Sequence, residues 1–183
     1  MSTCTEIETK LCVNDHESVR KQLQYLHAVY IELQQQTDIY FDDASASLTK
    51  SDTCLRLRVQ NTDKNQTCIL TYKGPKHQAC VKKRTEIELT VDNQSKAIEF
   101  VGALGYKESL TVEKTRELWQ YKNCDIALDQ VKDIGNYVEI EGPDETVIMQ
   151  IKRELALTEY PHIQQSYASL LAKQRNSHTY NES

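Results

Sequence analysis

The chain has 183 residues, a net charge of −5 and a pI near 5.6. Its length is that of one domain with its own core, and its acidity disfavours non-specific nucleic-acid binding, which needs a basic face. The apolar runs fall far below the roughly 20 residues that span a bilayer, and the N-terminus lacks a signal pattern. We therefore expect a soluble, cytoplasmic protein that binds neither nucleic acid nor membranes.

The first predicted strand carries its charges on one face. The side chains of Glu6, Glu8 and Lys10 point one way, and the aliphatic residue and threonine between them point the other way, because successive side chains of a strand alternate between its faces. The Glu-Ile-Glu core of this strand recurs at residues 86–88 and 139–141. Each copy therefore predicts a strand with one ionic and one aliphatic face.

The rest of the chain alternates between strand and helix patterns. Segments of alternating polarity between turn residues indicate strands. Apolar residues at helical spacing indicate helices, for example after the capping residue Asn93 and before the helix breaker Gly105. In chain order we predict a helix at about 15–28, strands at 37–42, 55–59, 68–73 and 84–89, a helix after Asn93, strands near 109–121, 124–131 and 137–141, and helices opening near 143 and 161.

This order of elements predicts an α+β fold. Short strands joined by hairpins favour antiparallel pairing, and about eight strands can close into a barrel wide enough for one small ligand. We predict a single domain over residues 1–173, built as a closed or nearly closed eight-stranded antiparallel β-barrel, or tunnel, with helices packed outside. The polar residues 174–183 are predicted to form a disordered tail.

The ionic faces of the strands are sorted by charge. Three strands carry Glu-x-Glu pairs, whereas two others carry two bases and no acid at the same positions. The ordinary alternative is a solvated outer face with weak cross-strand ion pairs, but such a face would mix the two signs more evenly. The acids concerned are Glu6, Glu8, Glu86, Glu88, Asp129, Glu139 and Glu141, and the bases are Lys10, Arg56, Arg58, Lys73, Arg84, Lys114 and Arg116.

Such sorting suits a metal-bound polyphosphate. Clustered carboxylates are the ligands that Mg²⁺ or Mn²⁺ prefers, and Arg and Lys bind phosphate oxygens. A triphosphate with its divalent metals carries both complementary patterns, and buried charges at this density are costly without such a partner. We therefore predict that the ionic faces line a common interior that binds a small-molecule triphosphate.

The series of motifs resembles the CYTH superfamily, which unites class IV adenylyl cyclases with thiamine-triphosphatase-like and inorganic triphosphatases. The resemblance starts at Glu6-x-Glu8-x-Lys10 and covers positions 5 to about 172. It continues through residues 40–42, 55–58, 72–75, 84–88, 113–116, 128–131, 135–141, 166–167 and 170–171, and the segments 40–42, 73–75 and 166–167 look most similar to the class IV cyclase branch.

The resemblance implies an antiparallel tunnel that binds a triphosphate end-on, with divalent metals, Mg²⁺ or Mn²⁺, on the glutamates. The implied catalytic residues are Lys10, Arg58, Lys73, Lys114 and Arg116, which would hold phosphates together with Arg56 and Arg84. The implied metal ligands are Glu6, Glu8, Glu139 and Glu141, with Glu86, Glu88 and Asp129 supporting a second metal. A homodimer is compatible with the resemblance.

The resemblance leaves three functions open. The first is an adenylyl cyclase, in which the ribose 3′-hydroxyl of ATP attacks the α-phosphorus and pyrophosphate leaves. The second is a triphosphatase, in which water attacks the terminal phosphorus of tripolyphosphate, thiamine triphosphate or a nucleoside triphosphate. The third is a non-catalytic module that binds polyphosphate or nucleotide. We place the cyclase first, because the branch-specific segments resemble that branch.

Overall fold

Eight strands close into one antiparallel barrel, which confirms the predicted fold. The computed structural model of the protein describes residues 3–75 and 82–179. The strands are β1 (Thr3–Val13), β2 (Val29–Asp42), β3 (Cys54–Asn61), β4 (Gln66–Lys73), β5 (Lys82–Val91), β6 (Lys107–Tyr121), β7 (Cys124–Val131) and β8 (Gly135–Glu141). Neighbouring strands pair antiparallel in the closed order β1-β5-β4-β3-β2-β6-β7-β8.

The helices lie outside this barrel, as expected. They are α1 (Glu17–Tyr25), α2 (Ser47–Lys50), α3 (Gln94–Ala103), α4 (Glu145–Glu154) and α5 (Tyr167–Thr179). The predicted cap at Asn93 is confirmed, since its side chain accepts a hydrogen bond from the backbone N–H of Lys96. None of the described helices has the length and apolar character that a membrane span requires.

The first helix ends earlier than predicted, and the following strand begins earlier. The backbone of His27 is left-handed, with a φ of 57°, and the N–H of Ala28 bonds to the carbonyl of Leu23. This turn closes α1, and β2 starts at Val29 because β-branched and aromatic residues follow directly. The strand predicted at 37–42 is thus only the second half of β2.

The last helix begins later than predicted and also runs further. After residue 161 the chain first lies along β1, where the N–H of Ile163 bonds to the carbonyl of Lys10. Ser166 then caps α5, since its hydroxyl accepts from the N–H of Ser169. The helix continues over 174–179, the first part of the predicted tail, whereas residues 180–183 lie outside the described part of the chain.

The aliphatic outer faces of the strands supply the hydrophobic core. One core lies between α1, α4 and strands β1, β7 and β8, and a second lies between α3 and strands β2 to β4. Leu11, Leu57 and Ile140 are fully buried there, and burial of one such side chain contributes about 1.5–3 kcal/mol. Because the outer faces are apolar and covered, the opposite faces of the same strands point into the barrel.

Gly142 directly follows β8 and packs against the first core, so a substitution at this position tests the packing. A Cβ at this position would lie 2.7 Å from Sγ of Cys124 and 3.1 Å from Cγ1 of Ile148. We expect Gly142→Ala to lower the free energy of unfolding in urea by about 1–3 kcal/mol through overpacking. The matched control is Gly102→Ala in α3, where a Cβ meets nothing within 4 Å. This substitution should raise the free energy of unfolding by about 0.5–1 kcal/mol. Equal effects of the two substitutions would contradict the packing described here.

Candidate active site in the barrel interior

The barrel encloses a cavity of ≈ 620 Å³, a volume typical of small-molecule sites. The cavity is lined by every predicted site residue except Asp129, together with further polar and apolar side chains, among them Asp38, Asp52 and Asp125. The lining residues from the predicted set are Glu6, Glu8, Lys10, Arg56, Arg58, Lys73, Arg84, Glu86, Glu88, Lys114, Arg116, Glu139 and Glu141. The alternative of a solvated outer face is therefore wrong for these strands.

The order of the strands gives the cavity two oppositely charged walls. Strands β8, β1 and β5 are neighbours, so their Glu-x-Glu pairs form one continuous acidic arc, whose members are Glu6, Glu8, Glu86, Glu88, Glu139 and Glu141. Strands β3 and β6 flank β2 on the opposite side and form a basic arc of Arg56, Arg58, Lys114 and Arg116. A ligand in the cavity therefore meets carboxylates on one side and cations on the other.

Arg58 is fixed in the basic arc by Asp38. Its Nε and Nη2 donate to the two carboxylate oxygens at 2.6 and 2.8 Å, and Arg56 lies 3.8 Å from the same carboxylate. Burial alone would raise the pKa of Asp38, but the charges of Arg58 and Arg56 outweigh burial and hold this pKa well below its usual range. Asp38 is thus a buried anion that positions two guanidinium groups.

Asp129 holds the basic side chains of β6 in place, as Asp38 holds those of β3. It is fully buried and accepts hydrogen bonds from Arg116 at 2.7 and 2.6 Å, from Lys114 at 3.2 Å and from the hydroxyl of Tyr167 at 2.9 Å. Its oxygens are therefore committed to these donors. These bonds make Asp129 an anchor for the basic arc, and its support of a second metal stays a prediction.

Lys114 lies in an environment that favours its neutral form. Burial and the neighbouring charge of Arg116 lower the pKa of Lys114 to about 7, although Asp129 acts in the opposite direction. The ring of Tyr167 covers this ammonium at 4.8 Å and that of Lys10 at 4.1 Å. An anion arriving in the cavity would restore the charged form of Lys114.

The two lysines on the acidic side are held by glutamates. Nζ of Lys73 pairs with Glu86 and lies 3.3 Å from Glu6. Nζ of Lys10 lies 3.2 Å from Glu139, which Arg116 also reaches at 2.5 Å. These two ammonium groups are therefore paired with carboxylates, and a polyphosphate with its cations would exchange partners with them.

The guanidinium of Arg84 forms its hydrogen bonds with backbone carbonyls. Its guanidinium donates to the carbonyl of Gly74, to that of Lys73 at 3.2 Å and to that of Asp52 at 3.1 Å. These carbonyls belong to the end of β4 and the residue after it, and to the connection between α2 and β3. Arg84 also lines the cavity, and the phosphate contact predicted for it stays a prediction.

The acidic arc places two like-charged carboxylates opposite each other on neighbouring strands. Glu8 and Glu141 are direct cross-strand partners on β1 and β8, and both line the cavity; carboxylates in this relation repel each other. Partial burial, followed by the charges of Glu6, Glu8 and Glu86, raises the pKa of Glu141 to about 7. The arc thus favours the arrival of a positive charge.

A divalent cation fits this arc by its chemistry. The donors are carboxylate oxygens, which Mg²⁺ and Mn²⁺ share as ligands, so the arc does not distinguish the two metals. Within residues 3–75 and 82–179, no three Asp, Glu, His or Cys side chains are already arranged to hold an ion. A cation would therefore have to draw the glutamates together from their present positions.

The raised pKa of Glu141 predicts a pH-dependent stability in metal-free buffer. Its carboxyl binds a proton more tightly in the folded than in the unfolded chain, from an ordinary value of 4.5 to about 7, so stability falls as pH rises through that window and then levels off. The Glu141→Gln protein lacks this contribution and should gain stability relative to the wild type across pH 4.5 to 7. Urea unfolding in EDTA at several pH values measures the difference, and a pH-independent difference would contradict the prediction.

Sequence reasoning missed several polar residues of the interior. Gln34, Gln36 and Asp38 of β2 face the cavity, as do Gln60 of β3 and Tyr167 of α5. The signal for the β2 set was the same alternation used elsewhere, since these residues stand two apart and lead to the predicted 40–42 segment. Gln34 and Gln36 were overlooked because the first half of β2 was assigned to a helix and its connection, whereas Asp38 lies in the predicted strand and its role depends on pairing with the distant strand of Arg58.

Comparisons with known proteins bear on this site. The family model described as the CYTH domain matches residues 5–167. A protein of Methanocaldococcus jannaschii named as a candidate adenylate cyclase is 29% identical over 174 residues, which are 90% of this chain and 97% of the relative. Adenylate cyclase CyaB of Aeromonas hydrophila is 26% identical over 153 residues, which are 82% of this chain and 76% of the relative.

Solved structures share the barrel. A Pyrococcus horikoshii protein matches with a TM-score of 0.82 and 28% identity, over 92% of this chain and 99% of that chain. A Hippeastrum protein, a candidate adenylyl cyclase with a dominant triphosphatase activity, matches with a TM-score of 0.69 and 15% identity, over 92% and 96% of the two chains. At that identity the Hippeastrum protein supports the fold alone.

Proposed function

The chain belongs to the CYTH domain family, and from this we propose that it is a divalent-metal-dependent enzyme of the class IV adenylyl cyclase type, which converts ATP to cyclic AMP and pyrophosphate. The observation that carries the proposal is the cavity with an acidic arc facing a basic arc. A triphosphate with bound cations complements both walls, whereas a purely cationic ligand would complement only the acidic wall and a neutral ligand neither.

In the proposed reaction the basic arc binds the phosphates. Arg58 and Arg116 present planar forks that match phosphate oxygens, and both are held in place by buried carboxylates. The 3′-oxygen of ATP bonds to the α-phosphorus, the bond from that phosphorus to the α,β-bridging oxygen breaks, and the hydroxyl proton is released. The cations of the basic arc, with Lys10 and Lys73, offset the charge that develops on the leaving pyrophosphate.

The acidic arc is the proposed metal-binding wall. Glu6, Glu8, Glu139 and Glu141 would hold one divalent cation, and Glu86 and Glu88 a second. Such a cation, Mg²⁺ or Mn²⁺, lowers the pKa of the attacking hydroxyl and neutralises phosphate charge when bound. We leave Asp129 out of this set because three side chains occupy its oxygens.

Hydrolysis is the second candidate function. The same two arcs would bind tripolyphosphate, thiamine triphosphate or a nucleoside triphosphate for attack by water on the terminal phosphorus. The Hippeastrum protein with triphosphatase activity shares the barrel, which supports hydrolysis as compatible with this fold. The two reactions differ in which phosphorus atom lies beside the activated oxygen. A protein that binds without turnover is the remaining alternative.

Product analysis tests the proposal. Purified protein is incubated with ATP, thiamine triphosphate or tripolyphosphate, each with Mg²⁺ or Mn²⁺. Cyclic AMP and pyrophosphate from ATP are the expected products. Orthophosphate and a diphosphate would support the triphosphatase instead, and binding without any product would leave only the binding module.

A soluble, cytoplasmic protein and a homodimer are also part of the proposal, and size-exclusion chromatography with light scattering tests the dimer.

A further inference from the structure

Glutamine side chains of β2 and β3 form a ladder of hydrogen bonds inside the barrel. One acceptor of this ladder, the side-chain oxygen of Gln36, has no donor among the described residues. Gln34 donates to the carboxylate of Glu32 at 2.7 Å, and Gln36 donates to the side-chain oxygens of Gln34 at 2.6 Å and Gln60 at 2.8 Å. Gln36 is 3% exposed and lines the cavity. Its own side-chain oxygen is buried and has no hydrogen-bond partner among the described residues.

The direction of this ladder is fixed by its charged end. A carboxylate only accepts hydrogen bonds, so Gln34 must turn its amide nitrogen to Glu32 and its oxygen to Gln36. Gln36 must then use its nitrogen as the donor, which leaves its oxygen as a lone acceptor. Leaving a buried acceptor unpaired is costly, so this oxygen is expected to pair with something else in the cavity.

The neighbouring cations are already engaged. Lys114 is the cross-strand partner of Gln36 on β6, but its ammonium bonds to Asp129 at 3.2 Å. Two residues along β2, Asp38 holds Arg58 in a bidentate pair. Gln36 is therefore a register neighbour of the groups proposed to hold phosphates, and its side-chain oxygen has no donor among the described residues.

We propose that Gln36 accepts a hydrogen bond from the nucleoside part of the substrate and so selects a nucleotide over an inorganic polyphosphate. Ionised phosphates only accept hydrogen bonds and cannot satisfy this oxygen, whereas a ribose hydroxyl or the amino group of adenine can. A site that pairs with a substrate donor discriminates against the analogue that lacks it. The inference rests on the proposed function, because it assumes that the basic arc holds the phosphates of the same substrate.

Equilibrium binding tests the inference without turnover. Calorimetric titrations in EDTA compare ATP, 2′-deoxy-ATP, 3′-deoxy-ATP, inosine triphosphate and tripolyphosphate on the wild-type protein and on Gln36→Leu. We expect one of the three analogues to bind the wild type up to about tenfold more weakly than ATP, which identifies the donor. Gln36→Leu should lose this preference and bind tripolyphosphate with unchanged affinity, which also shows that the cavity is intact.

The matched control is Gln35→Leu, which alters the exposed neighbour on the opposite face of β2 and should leave all affinities unchanged. Equal wild-type affinity for ATP and all three analogues would overturn the inference without any variant. A parallel loss of ATP and tripolyphosphate binding in Gln36→Leu would also overturn it, since Gln36 would then support the cavity or a trapped water only. These outcomes are independent of whether cyclic AMP forms, so the two proposals can fail separately.

Discussion

Replacement of Arg58 by lysine is expected to lower kcat/KM for the triphosphate substrate by about 10²-fold or more. Lysine keeps the positive charge but loses the planar fork, which makes two parallel hydrogen bonds to a carboxylate or phosphate. Removal of a single donor that stabilises developing charge typically costs about 10²–10³-fold in rate. Steady-state kinetics on whichever substrate is turned over measures this effect.

The matched control is Arg20→Lys on the outside of the barrel. Arg20 makes the same kind of bidentate pair, with Glu117 at 3.1 and 2.7 Å, but it does not line the cavity. This substitution should leave kcat/KM unchanged. If both substitutions changed the rate equally, or if Arg58→Lys were as active as the wild type, the basic arc would not be the phosphate-binding wall.

Replacement of Asp129 by alanine is expected to lower the free energy of unfolding by about 3–5 kcal/mol. The substitution leaves Lys114 and Arg116 buried beside each other without the carboxylate that pairs with both, and breaking a buried ion pair by removing one partner costs this much. Urea unfolding monitored by circular dichroism measures the loss. Tyr167→Phe, which removes only one hydrogen bond to the same carboxylate, should cost about 1 kcal/mol.

This substitution also separates the two roles considered for Asp129. An anchoring role predicts a large loss of stability in metal-free buffer. A metal ligand predicts little loss in EDTA and a loss of the stabilisation that Mg²⁺ or Mn²⁺ provides to the wild type. A stable Asp129→Ala protein that no longer responds to the metal would restore the role implied by the family resemblance.

The charged strands could be predicted because strand alternation is a local property. Glu6 and Glu8 stand two apart, so their shared face follows from the pleat alone, and the same holds for Arg56 and Arg58. The apolar counterface then indicated which side the helices would cover. This reasoning identified the Lys, Arg and Glu side chains that line the cavity.

Local reasoning was less successful where the chain changes direction. The helix prediction ran on to residue 28 because a left-handed residue such as His27 leaves no strong signal in the sequence. With the first half of β2 unrecognised, Gln34 and Gln36 were absent from the predicted site. The partner of Arg58, Asp38, was likewise missed because strand pairing joins segments that are distant along the chain.

The sequence by itself therefore determined which side chains of each strand share a face, since that depends only on neighbouring residues. Only the tertiary structure decided that β8, β1 and β5 adjoin and so gather the glutamates into one wall. The tertiary structure also decided that Asp129 and Arg84 form hydrogen bonds with other groups of the protein. The reason is that backbone pairing between distant strands sets which ionic groups meet, and each buried charge then takes the partner that this pairing brings within reach.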